Sequence, residues 1–352
     1  MARLGSRLFG ASCVSHVPPN NRLPRRASQD RREYMALSVR QLKAIRVLRF
    51  YSAVFPGRQC PLFLFLCGGE DGNSKYVCRA HTERHIRSNP ALQAIVTVKP
   101  EILLDRYSDI VGKMNLLELE AIIAELSDSV LLFDESEGPL CELGAFSMSP
   151  QIKDILTACI PARFRGSRSF AIQGPVKLIE DCDSKLSNVF YLDIDCPFSS
   201  AELLEYFLSF ESTVRYFKKH RINRDKDQVD LGSFCRECLD LAAIFAPITD
   251  DDLLEVYKCF KGFESFNFSF NAVEKRPRGF SYQVVLAYLA STDLISYDPK
   301  THLIDIHKEP PGYFMLSMAR RKEIQTLRAE LLSFKRKSGK EIESVYCQDD
   351  GK

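Results

Sequence analysis

The sequence predicts an α/β protein built on a doubly wound (Rossmann- or flavodoxin-like) parallel sheet of about five strands, followed by a mostly helical domain. Two observations carry this expectation. From residue 60 to 195, short apolar runs bounded by Gly, Pro and acids alternate with amphipathic stretches, the signature of repeated βα units. From Ser199 onward the strand-like runs give way to segments whose Phe-rich faces recur at helical spacing. The 352 residues suit two domains, each long enough to bury a core.

Taken in order, residues 1–34 are rich in Arg and Pro without apolar periodicity, and read as a disordered basic tail or an organellar presequence. Ala36 to Phe55 carries Leu37, Leu42, Ile45, Leu48 and Tyr51 at helical spacing and stops at Pro56-Gly57. Pro61 to Leu66 is the first buried strand, and Cys67-Gly-Gly-Glu-Asp-Gly72 the loop leaving it. Gly68 and Gly69 let backbone approach a ligand there. Glu70 and Asp71 would repel a pyrophosphate, so a sugar or base suits the loop better; a plain βα turn accounts for it equally well. Tyr76 to Ser88 reads as a helix with a solvated basic face, in which Lys75 and Arg79 stand nearest the loop. Leu92 to Val98 is a second strand, stopped by Pro100. Met114 to Leu126 is a helix with Leu117, Ala121 and Ala124 on one side and Glu118 and Glu125 turned away.

The stretch Ser127 to Met148 is the centre of the prediction. Val130 to Phe133 reads as a buried parallel strand that runs into Asp134, Glu135 and Glu137, then a turn at Gly138-Pro139. Glu142 follows in C-E-L-G-A-F, where a helix should begin. Ligands of open α/β sheets bind beyond the carboxyl ends of strands. A carboxylate on the first turn of a helix there would be fixed beside the ligand, with its pKa lowered by the helix N-terminus. Further on, Ile155 to Ile160 reads as a strand, Arg163 to Arg168 as a basic loop, and Asn188 to Ile194 as the last strand.

This gives an α/β domain over residues 35–197, a helical connection over 198–229 that includes the charge run Lys218 to Lys226, and a final domain over 230–352. There Phe234 to Phe245, Asp250 to Phe260 and Ser281 to Ser291 read as three helices. Leu294 to Ile306 reads as a hairpin about Asp-Pro-Lys. Three helices and a β-wing describe a winged-helix-like domain. Lys275, Arg276, Arg278 and Lys300 would set positive charge near the third helix and the wing for phosphates, or for a protein partner. Arg320 to Lys337 is a charged closing helix.

Composition narrows the classes. The formal net charge of +2 makes no global case for nucleic acid or membrane, and no apolar run approaches a membrane span. Twelve scattered cysteines without a secretory signal point to reduced thiols in the cytoplasm. Cys235-x-x-Cys238 lies in a helical pattern with no partner pair, so it reads as core packing; no metal and no cofactor is expected.

The strand, acidic loop and E-L-G-A helix start resemble the nucleoside 2-deoxyribosyltransferase-like superfamily, whose nucleophilic Glu lies in an E-L-G-x-A context. The resemblance assigns Glu142 as nucleophile and makes Glu120, ahead of the strand, a candidate ligand-contacting acid. With it, Gly68, Gly69, Asp134, Ser136 and Glu137 become substrate-binding candidates. The family loop commonly carries Asp six residues before the nucleophile; this chain has Ser136 there, flanked by Glu135 and Glu137. The element Ser169-Phe-Ala-Ile-Gln-Gly-Pro175 looks like one in deoxyribosyltransferase-like retron effectors. Over residues 36 to about 340 the two-domain order resembles those effectors, the toxins encoded beside retron reverse transcriptases. That resemblance implies a role in phage defence. It also implies inhibition by the reverse transcriptase with its multicopy single-stranded DNA (msDNA).

Cleavage of an N-glycosidic bond builds positive charge on the sugar, which a carboxylate beneath the anomeric carbon captures or stabilises. No His stands in the motif to protonate a departing base. A cationic leaving group such as the nicotinamide of NAD needs none. A nucleotide N-glycosidase, with NAD as a substrate, is therefore the expectation. The alternative is a non-enzymatic DNA-binding regulator whose first domain senses a nucleotide.

Overall fold

The computed structural model describes residues 61–69, 78–193, 195, 197–219, 228–273, 275–307 and 329. The expected basic tail, the helix over Ala36 to Phe55, Glu70, Asp71, Lys75, most of the charge run and the closing helix fall outside the described residues. Five parallel strands form the central sheet: β1 (Leu62–Cys67), β2 (Ile95–Val98), β3 (Ser129–Phe133), β4 (Leu156–Pro161) and β5 (Asn188–Leu192). Their order is β2-β1-β3-β4-β5, with every neighbouring pair parallel. This is the doubly wound order in which the crevice lies between β1 and β3, where the winding reverses. Every residue of β1, β3 and β4 is buried, as expected when helices cover both faces.

The flanking helices are α1 (Cys78–Ser88), α2 (Pro100–Val111), α3 (Leu116–Leu126) and α4 (Glu137–Met148). Helix α2 is an element the sequence argument did not predict. Pro100 ends β2, as expected, but it also occupies the first turn of α2, where its missing N–H has no partner to lose. Asn115 caps α3 in a capping box with Glu118, its side chain accepting from Leu117 N at 2.9 Å. Leu117 is 52% exposed rather than core-facing, and Glu125 is not turned away. Its carboxylate accepts from the backbone N–H groups of Asn271 and Ala272, at 2.9 and 3.0 Å.

Helix α5 (Ala201–Lys219) leads toward the second half, which comprises β6 (Gln228–Asp230), α6 (Leu231–Phe245), β7 (Ile248–Thr249), α7 (Asp250–Lys261), β8 (Asn267–Ser269), α8 (Gln283–Ser291), β9 (Ile295–Asp298) and β10 (Leu303–Ile306). The three helices and the hairpin lie where the pattern put them. Two additions were not anticipated: β7 joins the hairpin as a third strand on β10, and β6 pairs in parallel with β8.

The halves share a core rather than a tether. Asp128, its side chain fully buried, accepts from Phe63 N at 2.7 Å and from Arg236 Nη2 at 2.6 Å. Tyr288 meets the ring of Phe63 edge-on at 5.4 Å, and its hydroxyl lies 3.0 Å from that of Ser127. As a result Val284 to Ser291 of α8 is buried without a break. The third helix, near which positive charge for phosphates was expected, has no exposed face along that run, because α2 of the α/β half and α6 and β9 of its own half cover it. Among the described residues, no helix is long and apolar enough to cross a membrane.

Candidate active site

Strand β3 ends at Phe133, and Asp134 to Ser136 turn the chain into α4. Helix α4 begins at Glu137, five residues before Glu142. Glu142 therefore sits in the second turn, not the first, and the dipole of the helix terminus falls off before it. Its pKa is correspondingly raised rather than lowered. Burial is the main cause and the Glu101 carboxylate adds to it; the thiol of Cys67 and the charge of Arg79 oppose it. One carboxylate oxygen of Glu142 is buried without a hydrogen-bond partner. A native carboxylate left so is an orphan that wants a ligand or a proton.

The surroundings explain this electrostatic state. Cys67 ends β1, Glu101 lies in the first turn of α2, and Glu120 in the second turn of α3, all at the carboxyl side of the sheet. Glu120 is 7% exposed, not the surface glutamate common on helices. Its pKa is raised to about 8 by burial, then by Glu142 and Glu101. Arg79 of α1, with a side chain only 3% exposed, donates to Glu101 at 2.6 Å. Three carboxylates and one guanidinium thus converge where the strands end, and at neutral pH Glu120 holds its proton. Both Glu120 and Glu142 are raised, chiefly by burial, as in sites where a carboxyl group serves as an acid near neutral pH.

The other expected residues take different places. Glu135 is a strut: its two oxygens accept from Gly69 N at 3.1 Å and Cys78 N at 3.0 Å, tying the loop after β1 to the start of α1. Gly68 is cramped, not open to a ligand on its side-chain face. A Cβ there would lie 2.8 Å from Arg79 Cβ and 2.8 Å from Glu135 Oε1. Asp134 is half-buried, its pKa raised by burial against the pull of Arg163. Ser136 is the N-cap of α4 without a side-chain cap bond, and Glu137 is exposed. Sequence reasoning missed Glu101 because α2 itself was missed. It put Arg79 on a solvated basic face, with no signal of its burial.

In the second half, Lys275, Arg276, Arg278 and Lys300 are all exposed. Arg276 donates to Phe280 O at 2.9 Å. Gly279, at φ +86°, brings this loop so close to Lys113 that a Cβ would lie 2.8 Å from the lysine Cβ.

The fold and the site together define a doubly wound α/β protein with buried carboxylates at the carboxyl edge of its sheet, the edge where ligands of such sheets bind. Residues 75–296, more than half of its length, match the model of the STM3845 retron effector protein, and the chain belongs to this family of retron effectors. Two Escherichia coli proteins are similar to it. "Retron Ec86 putative ribosyltransferase/DNA-binding protein" is 35% identical over 133 residues, 37% of this chain and 41% of the relative. "Retron Ec73 putative ribosyltransferase/DNA-binding protein" is 31% identical over 122 residues, 33% of this chain and 37% of the relative. The aligned part thus spans about two fifths of these curated relatives.

Proposed function

We propose that this retron effector is a toxin that cleaves the N-glycosidic bond of a nucleotide, with Glu142 as nucleophile. The observation that carries the proposal is the orphaned, half-buried carboxylate of Glu142 among Glu101, Glu120 and Arg79. In the step envisaged, a Glu142 oxygen attacks the anomeric carbon, the carbon–nitrogen bond breaks, and its electron pair leaves with the base. Water then releases the sugar and frees Glu142. The glycosyl-transfer chemistry in the names of the two Escherichia coli relatives agrees with this step.

Glu120 changes the argument about substrate. A carboxyl group with a pKa of about 8 can protonate a departing base, so the site does not depend on a cationic leaving group. NAD remains the proposed substrate, and Glu120 supplies the test. Glu120→Gln should cost little in kcat with NAD, whose nicotinamide leaves without a proton. It should cost about a hundredfold or more with a nucleotide whose base departs as a poor leaving group. Equal losses on both would remove the acid role. Glu142→Gln should fold normally and lose base release by several powers of ten, measured by mass spectrometry on a nucleotide panel. Normal circular dichroism with undiminished release would end the nucleophile assignment.

In the cell, the reverse transcriptase with its msDNA would hold the effector inactive. Expression of the chain alone should stop colony formation, Glu142→Gln should be harmless, and the cognate partner should relieve the arrest. Such relief requires the inhibitor to prefer the inactive state by a few kcal/mol.

A further inference from the structure

The loop that leaves β4 has an unusual composition. Between Asp154 and Glu180 the chain contains no acid, while Arg163, Arg165 and Arg168 lie within six residues of one another. All three are exposed, and none forms a salt bridge among the described residues. Phe164 is 36% exposed and Phe170 86% exposed, the latter more than any other large apolar residue described. An aromatic ring left so far in water is unfavourable unless something covers it.

The loop is shaped by its own bonds. Arg165 N donates to Ala162 O at 3.1 Å, Ser167 N to Phe164 O at 2.9 Å, and Gln173 Nε2 to Ser167 O at 3.2 Å, with Gly166 at φ +75°. The guanidinium of Arg165 lies over the ring of Tyr191 at 4.7 Å, and that of Arg163 over Phe164 at 4.8 Å. Stacked guanidinium groups keep their N–H edges available for phosphate oxygens. The carboxylates that face these arginines, Asp134 toward Arg163 and Glu202 toward Arg165, act at a distance without pairing.

We propose that the loop from Arg163 to Phe170 is a docking surface for single-stranded nucleic acid, its arginines taking phosphates and its exposed phenylalanines stacking on bases. Charge selects the partner's class, and the aromatic rings select its form. A duplex keeps its base faces stacked internally and gives Phe170 nothing to cover it, whereas an unpaired strand offers a π-face at every base. Arginine and aromatic residues are also enriched at protein interfaces, so the strand-specific losses in the test below separate a nucleic acid from a protein partner. The loop leaves β4 at the carboxyl edge of the sheet that also carries Glu142, and the proposal does not rest on the glycosidase reading.

The test uses the full-length chain carrying Glu142→Gln, so that catalysis does not interfere. A fluorescein-labelled, mixed-sequence 20-nucleotide DNA, as single strand and as duplex, is titrated by anisotropy over a range of salt. Phe164→Ala with Phe170→Ala should weaken single-strand binding about tenfold or more and leave the duplex within about twofold. Replacing Arg163, Arg165 and Arg168 by Ala should flatten the slope of log affinity against log salt by about 2, at about 0.7 per contact. Undiminished single-strand affinity in the Phe variant, equal losses on both forms, or an unmoved salt slope would overturn the proposal. A measurement that needs no substitution is photo-crosslinking of a 5-iodouracil strand to the parent chain. Adducts should map to residues 162–176, and adducts confined elsewhere would refute the assignment.

Discussion

Glu120→Gln offers a test of the carboxylate cluster that needs no knowledge of the substrate. In the folded chain the Glu120 carboxyl holds its proton to about pH 8, whereas its ordinary value is 4.5. Folding therefore takes up a proton between those two values, and stability falls as pH rises through that window. The slope is up to about 1.4 kcal/mol per pH unit, or about 4 kcal/mol between pH 5 and 8. The size of the shift reflects a group 7% exposed beside Glu142 and Glu101, which leaves little solvent to relieve the charge. Gln keeps the shape of the protonated acid and cannot ionise. Urea unfolding at pH 5, 6, 7 and 8 should find the variant close to wild type at the acid end and several kcal/mol more stable at the alkaline end. Because groups distant from Glu120 titrate equally in both proteins, the difference between the two curves reports Glu120 together with its coupling to Glu142. Parallel curves would show that Glu120 does not sit buried against its neighbours, and the acid role would fall with that finding.

Asp128→Ala leaves the N–H of Phe63 and the guanidinium of Arg236 without their buried carboxylate, and should lower unfolding free energy by about 3–5 kcal/mol in a denaturant titration. Gly68→Ala presses a methyl group onto Arg79 and Glu135, both 2.8 Å away, and should reduce both stability and base release; a variant with wild-type melting and turnover would show that the loop has room. His302, hydrogen-bonded through Nδ1 to Asp250 at 3.0 Å, has its pKa raised above 6.5 by that partner. Its added stability is present at acid pH and lost as pH rises through the raised value. Amide exchange over Leu303–Ile306, corrected for the intrinsic rate, should therefore be slower in mild acid, and His302→Ala should abolish this pH dependence.

The sheet was legible because buried parallel strands are short, apolar and bounded by turn residues, and β3 with its acidic exit shows all of these together. Glu142 was legible as a locally placed acid, but its environment was not. The groups that raise or restrain its pKa come from β1, α1 and α2, and such convergence leaves no mark in a local window. Pro100 concealed α2, since a proline that ends a strand and one that opens a helix look alike in sequence. The burial of α8 did leave a signal. Val284 to Ser291 contains no charged residue, and a helix apolar on every side is an interior one. The three-helix pattern drew attention to the exposed cluster Lys275 to Arg278 instead.

The shared core also has a meaning in time. Asp128 waits for Arg236, 108 residues further along, and Ser127 for Tyr288, 161 residues along. During synthesis the sheet is complete once Leu192 has emerged, yet the faces around Phe63 and Asp128 stay open until α6 and α8 follow. Contacts this distant in sequence form late, because the chain between them must be ordered first. A ribosome translating at roughly 5–20 residues per second would therefore leave the α/β half uncovered for about 5 to 20 seconds. Stalled nascent chains that have fully released residue 200 but not α6 should be cut readily by protease within β1 and α3, and chains that have fully released residue 307 should resist. Equal resistance of the two would mean that the first half closes its core unaided. If the first half does wait, the cell is spared a working effector until the second half has arrived to finish the first.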